Sequence, residues 1–407
     1  MVTILIFIVI LGLLVFVHEL GHFWVARRNG IRVDEFGFGF PPRLIGIHKD
    51  SETKKWRILI GEKEIFLPRF LRLFLNIIIP FSEVTPEKNQ ERKSTVYSLN
   101  WIPLGGFVKI AGEDQHDTSD PESFGNKSAW VRTKVLAAGV AMNFLLAWVL
   151  FSAVFMLGMP QPIGPEDHGK YDNAKIQILN IVKGSPAEMM GLSMGDELLS
   201  INSKKPTTLE EVSGEISKHK GEVITITVNR FGKQLTLSGM PRTEYPASEG
   251  SLGISFSETA VVSYSWYEAI YRGATMTYDV TVAILDAFGT MIGSLFGGEK
   301  TALDVTGPVG IVYLTKQMAD LGLPYLLQFA ALLSINLAII NILPIPALDG
   351  GRILFILIER LKGSPVSQRV EGMIHQVGFM LLILLMVVVT VRDFSQFKIL
   401  SKIGQLF

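Results

Sequence analysis

Residues 4–26 read ILIFIVILGLLVFVHELGHFWVA. The run is nearly all Ile, Leu, Val, Phe and Gly, and it exceeds the ~20 apolar residues that carry a helix across a bilayer. Its second half holds His18-Glu19-Leu20-Gly21-His22. Two imidazoles and a carboxylate are costly in hydrocarbon and need something to bind. On a helix, positions i and i+4 share a face, so His18 and His22 can grip one metal ion. Glu19 follows the first ligand directly and can reach a water on that metal without ligating the ion itself. The pattern arises by chance on the order of once per hundred chains of this length. The alternative is a pair of satisfied core histidines, and a lipid-facing helix has few groups with which to satisfy them.

Composition bounds the rest. The chain has 407 residues, no cysteine, and 38 basic against 38 acidic side chains. That length suggests two or three folding units. Apolar residues gather in blocks, as in an integral membrane protein with soluble inserts. Zero net charge gives no reason to expect nucleic acid, and without cysteine there is neither a disulfide nor a Cys-ligated zinc site. The N-terminus lacks the basic region and small-residue cleavage site of a signal peptide, so the first span is expected to be retained.

Outward from that span, Arg27, Arg28 and Arg32 follow it and nothing basic precedes it. The positive-inside bias puts the N-terminus outside and His22 toward the cytoplasm. His18 lies nine residues before Arg27, about 13 Å inside the boundary at 1.5 Å per residue. Residues 31–130 form a polar segment with strand-like runs at Val33–Phe40, Trp56–Ile60 and Gly106–Ile110, and Gly37–Pro42 reads as a turn-rich loop. Residues 102–110, IPLGGFVKI, are apolar enough to dip into the membrane as a hairpin; a buried hairpin in a soluble subdomain is the equal alternative. Ile65–Phe81 is basic, aromatic and too short to span, which fits an interfacial helix or a buried core helix.

A second span covers Val131–Leu157, after which Pro160, Pro162, Gly164 and Pro165 lead into an outer domain. There the expected order is strand Ile176–Val182, helix Ser185–Met190, a turn at Gly195-Asp196, strand Glu197–Asn202 and helix Leu209–Lys218. A hairpin of Val223–Asn229 and Gln234–Leu237, turning at Phe231-Gly232, completes it. GSPAEMMGLSMGDELLSIN resembles the core of bacterial PDZ domains, which take up peptide ends by strand addition; a purely steric module is the alternative. Residues 263–298 read as an amphipathic surface helix carrying Asp279 and Asp286, with a further span left open, and Gly307-Pro308-Val309-Gly310 ends that stretch.

The next span, Leu323–Leu343, contains Asn336 and Asn341 and runs into Pro344, Pro346 and Asp349-Gly350-Gly351. Such disruption is tolerated in a bilayer only around a polar cavity. An aspartate there would supply a third metal ligand; the alternative makes Asp349 the N-cap of a helix Arg352–Leu361. Arg360, Lys362 and Arg369 mark a cytoplasmic turn, and Gly378–Val391 lies in the last span. The basic tail after it runs mildly against this topology.

HELGH, GFGF-PPRLIG, IPLGGFVKIAGED, AAGVAMNF (137–144), the single PDZ-like insert, TGPVGI and SINLAIINILPIPALDGG together closely resemble the bacterial site-2 proteases, which are intramembrane zinc metalloproteases. The resemblance touches nearly the whole chain in the family's motif order. It implies one zinc per chain held by His18, His22 and Asp349, with Glu19 as general base. It gives Asn336 and Asn341 a part in holding substrate, and residues Gly105, Gly106, Phe107, Val108 and Lys109 the part of a membrane-reentrant β-loop that presents substrate as an extended strand. The outer PDZ-like domain would admit substrates only after their outer parts are trimmed. Transmembrane proteins or peptides of anti-sigma-factor or signal-peptide-remnant type are the implied substrates.

The expected architecture is a polytopic α-helical membrane protein of about four transmembrane helices, with a cytoplasmic β-rich reentrant segment and one extracytoplasmic PDZ-like α/β domain. Its segments are a first transmembrane helix (1–26), the cytoplasmic segment (27–130), a second transmembrane helix (131–158), the PDZ-like domain (170–257), an amphipathic helical region (258–320), a third transmembrane helix (321–361), a fourth (371–392) and a tail (393–407). The expected setting is a bacterial inner membrane, the expected partners are its lipid bilayer and membrane-protein substrates, and the expected assembly is a monomer. Two departures stand out: the best-known members carry two PDZ-like modules, and Ile65–Phe81 has no counterpart in the pattern. Rival readings are a catalytically silent PDZ scaffold and a metal or solute transporter. Neither needs a general base at Glu19.

Overall fold

A computed structural model describes residues 2–50, 54–60, 63–64, 94–113, 120–163, 171, 174–230, 232–246, 249–297, 307–364 and 366–396. The Ile65–Phe81 run, the hairpin tip Phe231 and the tail beyond residue 396 lie outside the described residues. The chain divides into two units: residues 1–151, 273–316 and 328–407, and residues 152–272 and 317–327.

In the first unit, α1 (Val2–Arg28) is the opening apolar run. It has no acidic residue in its first turn and carries Arg27 and Arg28 in its last, where cations complement the helix dipole. Among the described residues four helices are long and apolar enough to cross a membrane: α1, α2 (Ala129–Leu157), α7 (Leu323–Ile342) and Gln368–Phe394 within α9 (Gln368–Gln396). No more than about a third of the residues in each of these windows are buried, so lipid is the solvent that suits the apolar side chains left at the surface. The amphipathic helix α5 (Trp266–Gly297) is not one of the four.

After α1 the chain forms a four-stranded sheet of order β3-β2-β1-β4, from β1 (Val33–Lys49), β2 (Trp56–Ile60), β3 (Lys63–Glu64) and β4 (Val96–Ile110). Both long strands fold back. The register of β1 jumps between Phe40 and Arg43, and residues 35–38 lie between residues 96–99 and 106–109 of β4. Two expectations change here. Gly37–Pro42 is not wholly a loop: Gly37, Phe38 and Phe40 keep strand pairing, and the chain turns back only across Pro41-Pro42, which bring no N–H, before pairing resumes at Arg43. Residues 102–110 do not close on themselves as a hairpin; their strand pairs with residues 33–38, because the compatible apolar edge lies far back in sequence. Phe16 and Phe23 of α1 meet Phe36 at 5.3 and 4.7 Å between ring centroids, contacts worth about 0.5–1.5 kcal/mol each beyond burial. Below them Ala26, Ile31, Val33, Ile110, Val135, Leu136 and Ile356 form one buried cluster.

The segment expected as one transmembrane helix, 321–361, is two helices: α7 and α8 (Asp349–Lys362). Pro344 and Pro346 cannot donate to a helix ladder, so residues 343–348 turn instead. Asp349 is the first residue of α8; the N-cap is Leu348, which offers no side-chain bond. Gly307–Gly310 does not end a stretch but opens α6 (Pro308–Leu321). Pro308 suits a first helical position, and the buried Asp393 of α9 accepts the N–H groups of Gly307 and Gly310 at 3.1 and 2.7 Å.

The second unit holds a six-stranded sheet of order β5-β10-β6-β7-β8-β9. Its strands are β5 (Met159–Pro162), β6 (Lys175–Ile181), β7 (Glu197–Ile201), β8 (Ile224–Arg230), β9 (Lys233–Gly239) and β10 (Ile254–Val262). Helix α3 (Pro186–Met190) starts at Ser185, whose side chain accepts the Glu188 N–H, and ends at Gly191 with φ 83°. Helix α4 (Leu209–Lys218) starts at Thr208, which accepts the Glu211 N–H, while Glu211 returns a bond to the Thr207 N–H at 2.7 Å. Ile176, Ile178, Leu198, Val212, Ile216, Ile224, Ile226 and Val228 bury the inner faces. Asp196 is buried, and its two bonds of 2.7 Å from Arg230 hold that guanidinium above its usual range. The sheet reaches beyond the expected 170–257, because β10 runs to Val262 and pairs at its end with β5. Prolines 160 and 162 therefore sit on an edge strand, where a missing N–H costs least.

Candidate active site

The site begins on α1, where the helical period sets His18 and His22 on one buried face. That face is covered by α2 at Gly139, where a Cβ would come within 2.5–2.7 Å of both imidazoles. Only glycine fits. The same helix orients both rings. His22 Nδ1 donates to the Val135 carbonyl at 2.8 Å, so its proton is on Nδ1 and Nε2 is left with a free lone pair. His18 Nδ1 lies 3.1 Å from the amide nitrogen of Asn143, a fully buried residue whose amide oxygen has no hydrogen-bond partner among the described residues. An imidazole that offers Nε2 to a cation carries its proton on Nδ1, and a half-turn of the Asn143 amide gives that proton its acceptor and the oxygen its partner.

The turn after α7 brings in the third group. Asp349 Oδ2 is 3.0 Å from His18 Nε2 and 3.4 Å from His22 Nε2, and the two Nε2 atoms are 3.0 Å apart. Among the described residues this is the one cluster of three or more such side chains arranged to hold a metal ion. Ligand atoms about 2.0–2.1 Å from a tetrahedral zinc stand roughly 3.3 Å from one another, so two neutral imidazoles and a carboxylate at these spacings fit zinc. Their exclusion from bulk water also favours a dication here over three mutually close, unneutralised polar groups. Helix α8 is fixed by Arg352, which pairs with Glu113, and by Glu359, which accepts from Arg132 of α2 at 2.7 Å. The aspartate is thus carried on a braced element.

Glu19 is half-buried beside the cluster, with the backbone of Val108 in β4 close to its carboxylate. Gly105, at φ +87°, lets β4 turn against Val15 of α1, where a Cβ would lie 2.7 Å from the valine side chain. Gly106 is likewise pressed on Phe16, Phe107 and Val108 are half-buried, and Lys109 is exposed. The two asparagines of α7 separate. Asn341 reaches the site, with Nδ2 3.4 Å from His18 Nε2, whereas Asn336 donates to the Leu332 carbonyl of its own helix at 2.9 Å. Sequence reasoning did not single out Val135, Gly139 and Asn143 as site residues. The signals for them were Asn143, a polar amide inside an apolar span, which by default marks function, and the motif AAGVAMNF that holds it together with Gly139.

The profile of Peptidase family M50 matches residues 6–61 and 83–385. The chain is 32% identical to the regulator of sigma-W protease RasP of Bacillus subtilis, over 97% of this chain and 98% of that protein. It is 31% identical to the zinc metalloproteases RasP of Geobacillus kaustophilus and of Shouchella clausii, each over 97% of this chain and 98% or 99% of the relative.

Proposed function

The chain belongs to peptidase family M50, the site-2 protease family of zinc metalloproteases, and we propose that it cuts membrane proteins inside their spanning segments. Membership of that family sets aside the scaffold and transporter readings. The observation that supports intramembrane cutting is the position of the cluster: His18 and His22 sit within an apolar span, and Asp349 joins them from the first position of α8, after the turn that follows α7. His18, His22 and Asp349 would hold the zinc. Bound there, zinc supplies Lewis-acid chemistry, acidifying water and polarising a scissile carbonyl.

The protein's own groups do the rest. Glu19 takes a proton from the attacking water and passes it to the leaving amine. Val135 and Asn143 hold the imidazoles so that both Nε2 atoms face Asp349. A substrate helix hides its carbonyls in its own ladder and must unwind before it is cut. Among the described residues the 106–110 part of β4 is the outermost strand of its sheet, and it borders Glu19, so an extended substrate segment can add to it and recover the lost hydrogen bonds. Asn341, beside His18, is placed to address that segment; Asn336 contributes through the helix.

The orientation follows the arginines after α1, with the N-terminus and the second unit outside. Arg28 lies over Trp24 at 4.6 Å and Lys134 over Trp130 at 5.1 Å, and both tryptophans are exposed; such amphipathic pairs suit a headgroup boundary. The second unit has the strand and helix order expected of a PDZ-like domain. Its own β5 already occupies the edge of β10 from Thr259 to Val262, which favours a steric size filter over capture of a peptide along that stretch. The Bacillus subtilis relative is named for the regulation of sigma-W; by analogy, anti-sigma factors and signal-peptide remnants are the proposed substrate classes here.

Glu19→Gln tests the assignment. The variant should keep about one zinc per chain and lose hydrolysis of a model transmembrane peptide. Cutting that survives the change would remove Glu19 from the chemistry.

A further inference from the structure

The turn that delivers Asp349 holds Ala347 at φ +75°, a left-handed conformation that residues with a Cβ rarely adopt. A group outside the turn engages it there. The Ala347 backbone N–H donates to Nδ1 of His375 on α9, 2.7 Å away. Because Nδ1 accepts, the ring proton sits on Nε2, on the side of Glu371, whose carboxylate lies 3.9 Å away. The ring also packs 5.4 Å from Phe355 of α8, measured between centroids. Three residues further along the same face of α9, Gly378 lies so close to Pro346 that a Cβ would overlap the proline. Most of α9 is otherwise exposed. This helix therefore meets the turn through a matched pair, a glycine that admits Pro346 and a histidine that accepts the next amide.

We propose that His375 is a positioning residue for the metal centre: by accepting the Ala347 amide it fixes residues 343–348 in the form that aims Asp349 at His18 and His22. The last span then serves the reaction without touching substrate or metal. It supplies the acceptor that lets an alanine hold a glycine-like conformation two residues before a ligand. The proposal rests on the reading of Asp349 as a zinc ligand, and the test separates the two.

Zinc affinity of the full-length chain in detergent, measured by competition with a chromophoric chelator, is the readout. In His375→Asn the side-chain oxygen falls where Nδ1 was, while in His375→Gln the amide lies one bond further out, near the place of Nε2. His375→Asn should bind zinc nearly as the parent does. His375→Gln should bind about 10–100-fold more weakly, as is usual for loss of a group that orients a ligand. Adding Ala347→Gly to it should restore part of the loss, because glycine takes positive φ without strain. Gly378→Ala, which keeps His375 but pushes α9 off Pro346, gives an independent reading and should also weaken binding. Parent-like affinity in both His375→Gln and Gly378→Ala, with Asp349→Ala losing zinc, would overturn the positioning role alone. Parent-like affinity in Asp349→Ala would overturn the ligand reading beneath it.

Discussion

Gly139 shows how little room the metal centre leaves. A methyl group there would meet three imidazole atoms at once, and neither ring can yield without releasing Val135 or Asn143. Gly139→Ala should therefore lower zinc affinity at least as much as the loss of one orienting group, about 10–100-fold, while the chain still inserts in membranes; chelator competition beside a membrane-fractionation control checks both. Asn143→Leu should likewise weaken zinc binding, and Asn143→Asp, which keeps an acceptor for the His18 N–H, should weaken it less. The histidine pair and Glu19 are legible in sequence because their chemistry is written in local spacing. Asp349 is legible because prolines and glycines inside a span need a reason. Asn143 is not, since the hydrogen bond that explains it crosses 125 positions of chain.

Among elements, helices and local hairpins read directly from the sequence, while pairings distant in the chain do not. Leu209–Lys218 is a helix with the bounds expected from the sequence, and its Thr208 cap closes it locally. β1 and β4, by contrast, interleave across some sixty residues, and β5 was obscured by the prolines that confine it to an edge. Two carboxyls of the second unit are held below the ordinary value of 4.5: Glu211 by the Thr207 backbone and hydroxyl, and Glu215 by the Lys204 ammonium. Each stabilises α4 above that value, and the contribution is lost as pH falls through it toward the lower folded pKa. Amide protection factors in α4 of the intact chain should thus fall below about pH 4.5 and stay level above it. At the far end of the last span, Asp393→Ala leaves two buried N–H groups at the start of α6 without their acceptor. A loss of about 2–3 kcal/mol is expected, seen as a lower melting temperature in detergent.

At the scale of the whole molecule, the proposed function pairs a metal centre set in an apolar span with a second unit that would act as a size filter. Met159 pairs with Val262 and Pro162 with Thr259, so the two ends of the six-stranded sheet are adjacent, and residues 163–258 can be replaced by a short glycine loop. The parent chain should cut a membrane protein quickly only after its outer domain is trimmed. The shortened chain should cut trimmed and untrimmed forms at similar rates, as read by gel after reconstitution. In the substrate span, changing Pro or Gly to Leu should slow cutting without weakening insertion, because a firmer helix resists strand addition to β4. The whole scheme depends on the three side chains meeting on one ion. Zinc K-edge absorption of the loaded full-length chain tests this most directly. The account predicts a first shell with two imidazole nitrogens and a carboxylate oxygen that changes in Asp349→Ala. A shell without imidazole, or one that Asp349→Ala leaves unaltered, would contradict it.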